Sequence, residues 1–106
     1  MSTIKAPQDC SSLEDIRAAI DLYDRQIFDA MCQRLNYVRA AARFKPDEQS
    51  IPAPQRVAAM LAERSRWAAE AGFDEGFTRS LFEQLIAWNI EQQIQHWRHQ
   101  RQQAAG

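Results

Sequence analysis

Glycine is scarce in this chain, and so are the short turn sequences that usually separate β-strands. The 106 residues contain three glycines, and no Asn-Gly or Asp-Gly pair stands between two alternating apolar runs. Apolar residues instead recur every three or four positions, which is the spacing of one face of an α-helix. The sequence therefore predicts an all-α fold.

Long apolar runs, an excess of one charge and clustered cysteines are missing too. No run approaches the ~20 residues that span a membrane, and the first ten residues lack the apolar core of a signal peptide. The formal net charge of −1 indicates no nucleic-acid partner. Cys10 and Cys32 match neither a disulfide framework nor a metal-binding spacing. We therefore expect a cytoplasmic protein with free thiols and no membrane partner.

Motifs for metal, phosphate or nucleophilic chemistry are likewise missing. His96 and His99 lie three residues apart, but no carboxylate or cysteine joins them as a metal ligand. The sequence has no glycine-rich phosphate loop and no serine, cysteine and histidine arrangement for nucleophilic catalysis. We therefore predict that the protein uses neither a metal nor a cofactor.

The longest periodic stretch, 12–45, carries one continuous apolar stripe and contains no proline or glycine. At about 1.5 Å per residue it predicts a helix of roughly 50 Å, which is too long for a chain of this size to cover alone. We therefore expect the same helix of a second copy to pack against it, giving a homodimer. The stripe comprises Leu13, Ile16, Ile20, Tyr23, Ile27, Ala30, Met31, Leu35, Val38, Ala42 and Phe44.

Prolines, a glycine and an aspartate mark the limits of two further helices. Pro46 ends the first helix, because the residue before a proline is pushed out of the helical region. A polar loop follows, and Pro52 or Pro54 lies in the first turn of a second, shorter helix. Gly72 ends that helix, and Asp74 caps a third one.

These limits predict a single domain over 1–106 that contains a long, a short and a long helix. Residues 1–11 have no apolar period, so we expect a flexible arm. The polar segment 99–106 is expected to fray. The tryptophans are interpreted as core or interface anchors.

Four polar residues lie on or beside the apolar stripes and are our candidate substrate-binding residues: Arg17, Arg34, Lys45 and Gln93. Cations that face a core need an anion, which suggests a small dicarboxylate substrate. Each residue also has a structural alternative. Gln93 could be a hydrogen-bonded core amide, Arg34 an interfacial ion pair, and Arg17 and Lys45 solvated charges.

Spacing separates two of these residues within one chain. Arg17 and Arg34 are roughly 25 Å apart along a straight helix, so they cannot hold one small ligand together. If two first helices pair antiparallel about a centre near 25–28, however, Arg17 of one chain comes level with 34–38 of the other. Two equivalent cationic pockets would then form by symmetry.

The sequences around these residues resemble a known family. Arg17 lies in LEDIRAAID, Arg34 in CQRLNYVRAA, Lys45 in RFKPDEQSIPAPQRVAAML and Gln93 in LFEQLIAWNIEQQIQHWR. These segments are similar to the all-helical chorismate mutase (type II) family, and the similarity covers almost the whole chain. The resemblance implies an intertwined homodimer with two shared active sites, in which Arg17 comes from the partner chain.

Within the family, the resemblance is to isochorismate pyruvate lyases, which form salicylate for siderophore biosynthesis. It implies conversion of isochorismate to salicylate and pyruvate by a pericyclic hydrogen transfer, with weak chorismate mutase side activity. Lys45 and Arg34 would then be catalytic, and Lys45, Arg34, Gln93 and Arg17 would bind substrate. Closure of a loop over 46–54 would complete the pocket.

One departure from the family pattern bears on the choice between the two activities. Mutases of this fold place a glutamate early in the second helix, whereas 55–59 contain no carboxylate. This difference favours the lyase. A second departure is Asn89, which is polar where the resemblance to the lyases predicts an aromatic residue.

Two alternatives stay open: a chorismate mutase that forms prephenate, and a non-enzymatic helical dimerisation module whose stripe cations form interface ion pairs.

Overall fold

The computed structural model describes residues 4–105, and in this part of the chain every regular element is helical. Three α-helices follow one another in the predicted long, short and long order, so the all-α prediction is confirmed. Short 3-10 helices lie before the first α-helix and between the first and the second. The α-helices are α1 (Leu13–Ala41), α2 (Pro54–Ala71) and α3 (Glu75–Ala105), and the 3-10 helices are Pro7–Asp9, Ala42–Phe44 and Glu48–Ser50.

The start of α1 is fixed by side chains that satisfy its first backbone N–H groups. Ser12 Oγ accepts a hydrogen bond from the Asp15 backbone N–H at 3.1 Å. The Asp15 carboxylate in turn accepts from the Ser11 N–H at 3.0 Å and from the Lys5 ammonium at 3.2 Å. These bonds, led by the one from the Ser11 backbone, lower the pKa of Asp15 from its ordinary value. The negative charge also lies at the positive end of the helix dipole.

The end of α1 differs from the prediction that one helix runs as far as Lys45. The α-helix ends at Ala41, and Ala42–Phe44 tighten into a 3-10 turn. Lys45 is extended, with φ −92° and ψ 120°. The physical reason is Pro46, because its ring would clash with Lys45 in a helical conformation. Lys45 is therefore extended, and the turn before it tightens to a 3-10 helix.

The limits of α2 and the start of α3 agree with the prediction. Pro54 is the first residue of α2, and Gly72 ends it in the left-handed conformation with φ 68°, which glycine adopts without strain. Asp74 caps α3, since its Oδ1 accepts from the Phe77 N–H at 2.7 Å. Ala53, which precedes α2, is also left-handed, with φ 41°.

Both predicted flexible ends lie partly inside the described residues. The arm 1–11 contains the Pro7–Asp9 turn, and 1–3 lie outside the described part. Helix α3 includes 99–105, where we expect fraying, and residue 106 lies outside the described part. The flexibility of both ends stays a prediction.

The chain divides into two compact units, 1–34 and 35–106. In the first unit, no residue between 4 and 34 is buried. Its apolar stripe is open instead, and Ile20, Ile27 and Phe28 are each more than half exposed. The first unit therefore presents an apolar helix face to its surroundings.

The second unit contains the core of the described chain. Helix α2 packs on α3, and the two 3-10 turns that follow α1 also contact α3. Leu61 and Ala68 of α2 and Ile86 of α3 are buried. Trp67 of α2 meets Phe82 of α3 edge to face, with ring centroids 6.3 Å apart. Over the residues that the structure describes, no helix is both long and apolar enough to cross a membrane.

Replacing the Asp74 cap tests the described start of α3. We expect Asp74→Ala to lower the free energy of unfolding by about 1 kcal/mol, because the Phe77 N–H loses its acceptor. Asp74→Asn keeps an acceptor oxygen and should lose less than half of that amount. Thermal unfolding followed by circular dichroism measures both changes, and equal stability of Asp74→Ala and the unchanged chain would contradict the cap.

Candidate active site

Lys45 lies in the second unit directly after the 3-10 turn Ala42–Phe44, and it is half-buried. Its ammonium Nζ lies 3.5 Å from the Ser50 carbonyl oxygen, a long hydrogen bond. An ammonium group carries three N–H donors, so this contact uses one of them. A cation at this position can therefore bind an anion while it stays tied to its own loop.

Gln93 of α3 is buried, with 6% of its surface exposed. Its Nε2 donates to the Val38 carbonyl oxygen at 2.7 Å. The bond supports the structural alternative of a satisfied core amide, but an amide nitrogen has two N–H donors and Val38 accepts one. Asn89, one turn earlier on α3, is 2% exposed. The same face of α3 thus carries two buried amides.

The loop after Lys45 is joined to α3 by an ion pair. Arg98 donates to both carboxylate oxygens of Glu48, through Nε to one and through a terminal nitrogen to the other at 2.9 Å. Hydrogen bonding to Arg98 lowers the pKa of Glu48, and the carboxylate raises that of Arg98. The ion pair is therefore fully formed at pH values above the ordinary pKa of a glutamate, and it is lost as the pH falls through the lowered pKa of Glu48.

The backbone of Lys45 is also held by α3. Its carbonyl oxygen accepts from Trp97 Nε1 at 3.1 Å and from a terminal nitrogen of Arg101 at 3.2 Å. Trp97 lies one turn after Gln93, so α3 brings Lys45 and Gln93 to the same region of the second unit.

The two candidate arginines lie in the first unit. Arg17 is exposed in the second turn of α1, and Arg34 is half-buried. Along the helix they are roughly 25 Å apart, as the spacing predicts, so one chain does not bring them together. The role of all four candidate residues in substrate binding stays a prediction.

Sequence reasoning missed the residues that hold Lys45. It assigned Trp97 to a core or interface and did not single out Arg98, Arg101 or Glu48. A signal was present, because Trp97 and Arg101 lie one turn apart on α3, and the guanidinium stacks on the indole at 4.7 Å. Nothing in that local pattern, however, identifies a partner 52 residues away.

The His96 and His99 pair lines a different part of the second unit. With Arg39, Gln92 and Gln95 the histidines surround an open groove of about 480 Å³ that none of the candidate residues lines. Among residues 4–105, no three His, Cys, Asp or Glu side chains are grouped as a metal site would require.

Comparison with known proteins places the sequence in a family. The chorismate mutase type II profile matches residues 16–94, which include all four candidates. Isochorismate pyruvate lyase of Pseudomonas aeruginosa is 54% identical over 98 residues, covering 92% of this chain and 97% of that protein.

Two mutases are more distant relatives. The 4-amino-4-deoxychorismate mutase of Streptomyces pristinaespiralis is 32% identical over 75 residues, covering 70% of this chain and 58% of that protein. The protein of the same name from Streptomyces venezuelae is 30% identical over 78 residues, covering 72% and 75%. The chain therefore belongs to the chorismate mutase type II family.

Proposed function

We propose that this chain is an isochorismate pyruvate lyase, which converts isochorismate to salicylate and pyruvate. The observation that carries the proposal is the 54% identity to a lyase of that name along nearly the full length of both chains. The half-buried residue Lys45 and the buried residue Gln93, which α3 brings to one region of the second unit, support it, because an ammonium and an amide suit an anionic, partly apolar substrate.

The reaction needs positioning and charge more than proton transfer. In the proposed pericyclic step, the hydrogen on ring C2 passes to the enolpyruvyl methylene carbon while the ether C–O bond breaks. The ring becomes aromatic as salicylate, and the enolpyruvyl group leaves as pyruvate. No side chain has to take or give a proton. The protein instead has to hold the reactive conformer and stabilise the negative charge that grows on the ether oxygen.

Lys45 and Gln93 are proposed to act at that ether oxygen and the neighbouring carboxylate. The ammonium supplies a point charge, and the tie to Ser50 keeps it near the loop that would close the pocket. The second N–H of Gln93 supplies a neutral donor, whose position is fixed by the bond to Val38. Both groups donate, which matches an oxygen that gains negative charge.

Arg34 and Arg17 are proposed to bind the carboxylates. A planar guanidinium forms two parallel hydrogen bonds with a carboxylate, which fixes its orientation as well as its position. Because the two arginines are too far apart on one helix, we assign Arg17 of each pocket to the second copy of the chain.

The open apolar face of α1 supports a homodimer. Ile20, Tyr23, Ile27 and Phe28 are each more than half exposed on a helix with no buried residue. A contiguous apolar surface of this kind marks a protein interface, and the stripe continues on both sides of the centre at which two antiparallel copies would cross.

The main activity is proposed to be the lyase and not the mutase. The first turns of α2, 55–59, hold no carboxylate, and Arg56 is exposed there. The family and the two amino-deoxychorismate mutases among the relatives favour a weak mutase activity beside the lyase. We also propose a cytoplasmic location and a role in salicylate and siderophore synthesis.

Removing the charge of Lys45 tests its role. We expect Lys45→Met to lower kcat/KM for isochorismate at least ~100-fold, the size expected for an electrostatic group at a reacting oxygen. Lys45→Arg should also be poor, because a planar fork does not replace a point charge. Salicylate fluorescence measures the rate.

The matched control is Lys5→Met, since Lys5 is the other lysine of the chain and pairs with Asp15 outside the second unit. Lys5→Met should keep its activity within a factor of about 2. Near-normal turnover by Lys45→Met would refute the assigned role.

Offering both substrates separates lyase from mutase and from the dimerisation module. We expect salicylate from isochorismate at a rate at least ~10-fold above that of prephenate from chorismate, because the carboxylate typical of the mutases is missing. Faster formation of prephenate would favour the mutase. Neither product, and no rise in Tm with chorismate-like diacids, would favour the dimerisation module.

Changing Ile27 tests the interface. Sedimentation should give about twice the 12.2 kDa chain mass, and Ile27→Glu should dissociate or unfold the dimer by placing a charge in an apolar contact. Gln26→Glu, which adds the same charge at the next residue, is the control. A Tm that does not depend on protein concentration, together with a monomer mass for the unchanged chain, would be inconsistent with this interface.

A further inference from the structure

Two side chains near the end of α3 hold the backbone of Lys45. The indole Nε1 of Trp97 donates to the Lys45 carbonyl oxygen at 3.1 Å, and Arg101 donates to the same oxygen at 3.2 Å. The Arg101 guanidinium stacks on the Trp97 ring, with 4.7 Å between its central carbon and the ring centroid. Two donors that support each other therefore converge on one carbonyl.

A second attachment lies three residues further along the loop. Arg98 forms a bidentate ion pair with Glu48, the first residue of the 3-10 turn Glu48–Ser50. The last residue of that turn, Ser50, provides the carbonyl oxygen near the Lys45 ammonium. Asp47 caps the turn by accepting from the Ser50 N–H at 2.9 Å. The ion pair thus attaches to α3 the turn that contains Ser50.

We propose that Trp97 and Arg98 are positioning residues that fix the Lys45 ammonium, Trp97 through the Lys45 backbone and Arg98 through the Glu48–Ser50 turn. The proposal rests on the lyase function and on the catalytic role of Lys45 proposed above. Neither Trp97 nor Arg98 is required to touch the substrate.

The electrostatic role of Lys45 is the reason that position matters. A charge that stabilises a transition state has to be in place before the reaction, since moving it during the reaction costs energy. Displacement by about 1 Å can lower a rate by up to ~100-fold. An ion pair that is partly exposed, such as Glu48–Arg98, in contrast contributes little to stability. A positioning role therefore predicts that kcat falls several-fold while the free energy of unfolding changes little.

Trp97→Phe tests the indole bond. It keeps an aromatic ring for Arg101 to stack on but removes the N–H that donates to Lys45. We expect kcat for isochorismate to fall about 10-fold with KM changed by less than ~3-fold, because the transition state loses more than the bound substrate. Trp67→Phe is the matched control, since a phenylalanine there keeps the contacts with Arg64 and Phe82.

Exchanging the charges tests the ion pair. Glu48→Gln alone should lower kcat roughly 5-fold to 10-fold, and the double variant Glu48→Arg with Arg98→Glu should recover it to within about 3-fold of the unchanged chain. Glu83→Gln, which breaks the exposed Arg79–Glu83 pair on the same helix, should leave kcat unchanged.

The decisive experiment is a double-mutant cycle in single-turnover assays. In a Lys45→Met chain, Trp97→Phe should cost less than ~2-fold, because the group that it positions is already gone. A full 10-fold loss in both backgrounds, or no loss in the Lys45 chain, would overturn the proposal. If the unchanged chain forms no salicylate, the proposed function itself is wrong. Salicylate from the unchanged chain, with kcat of Trp97→Phe intact, removes the positioning role alone.

Amide hydrogen exchange provides a readout that does not depend on activity. Peptides that cover 45–51 should exchange at least ~5-fold faster in Trp97→Phe and in Glu48→Gln than in Trp67→Phe and Glu83→Gln, since local opening becomes easier. Equal exchange in all four variants would show that α3 does not hold this segment.

Discussion

The central interaction of the second unit is the set of hydrogen bonds between α3 and the chain around Lys45. Pro46 prevents the preceding helix from continuing, and the last carbonyl groups of a helix have no partner within it. The Lys45 carbonyl finds its partners on α3 instead, at Trp97 and Arg101. A proline that ends a helix thus creates an acceptor, and a neighbouring helix uses that acceptor to fix the position of a cation.

Local sequence signals accounted for the helices and their caps. Apolar spacing, Pro54, Gly72 and Asp74 predict α2 and the start of α3, because each acts within about one turn of its own position. The prediction placed the end of α1 too late, at Lys45. No pattern of residue types shows how many residues before a proline leave the α-helical conformation. The links from α3 to Lys45 and Glu48 were missed as well. They join residues 50 or more positions apart, and no periodicity carries that information.

The candidate site could be predicted only as a set of residue types. A charged or amide group on an apolar stripe is a local signal, and it selected Lys45 and Gln93, which α3 brings to one region. The same signal selected Arg17 and Arg34, yet these residues are roughly 25 Å apart along α1. If the four residues bind one substrate as proposed, a single chain supplies an incomplete set of cations for it. The open apolar face of α1 and the separation of its arginines have the same explanation if a second copy completes the pocket.

Subunit complementation tests most directly whether a second copy of the chain completes the pocket. Arg17→Ala and Lys45→Met chains are each expected to have little activity, and they are unfolded together in equal amounts and refolded. In a dimer with shared sites, half of the products are heterodimers with one intact pocket, so the mixture should recover about a quarter of the unchanged activity. If the mixture shows only the summed activity of the two separate variants, Arg17 and Lys45 do not act in one pocket across two chains, and the account is wrong.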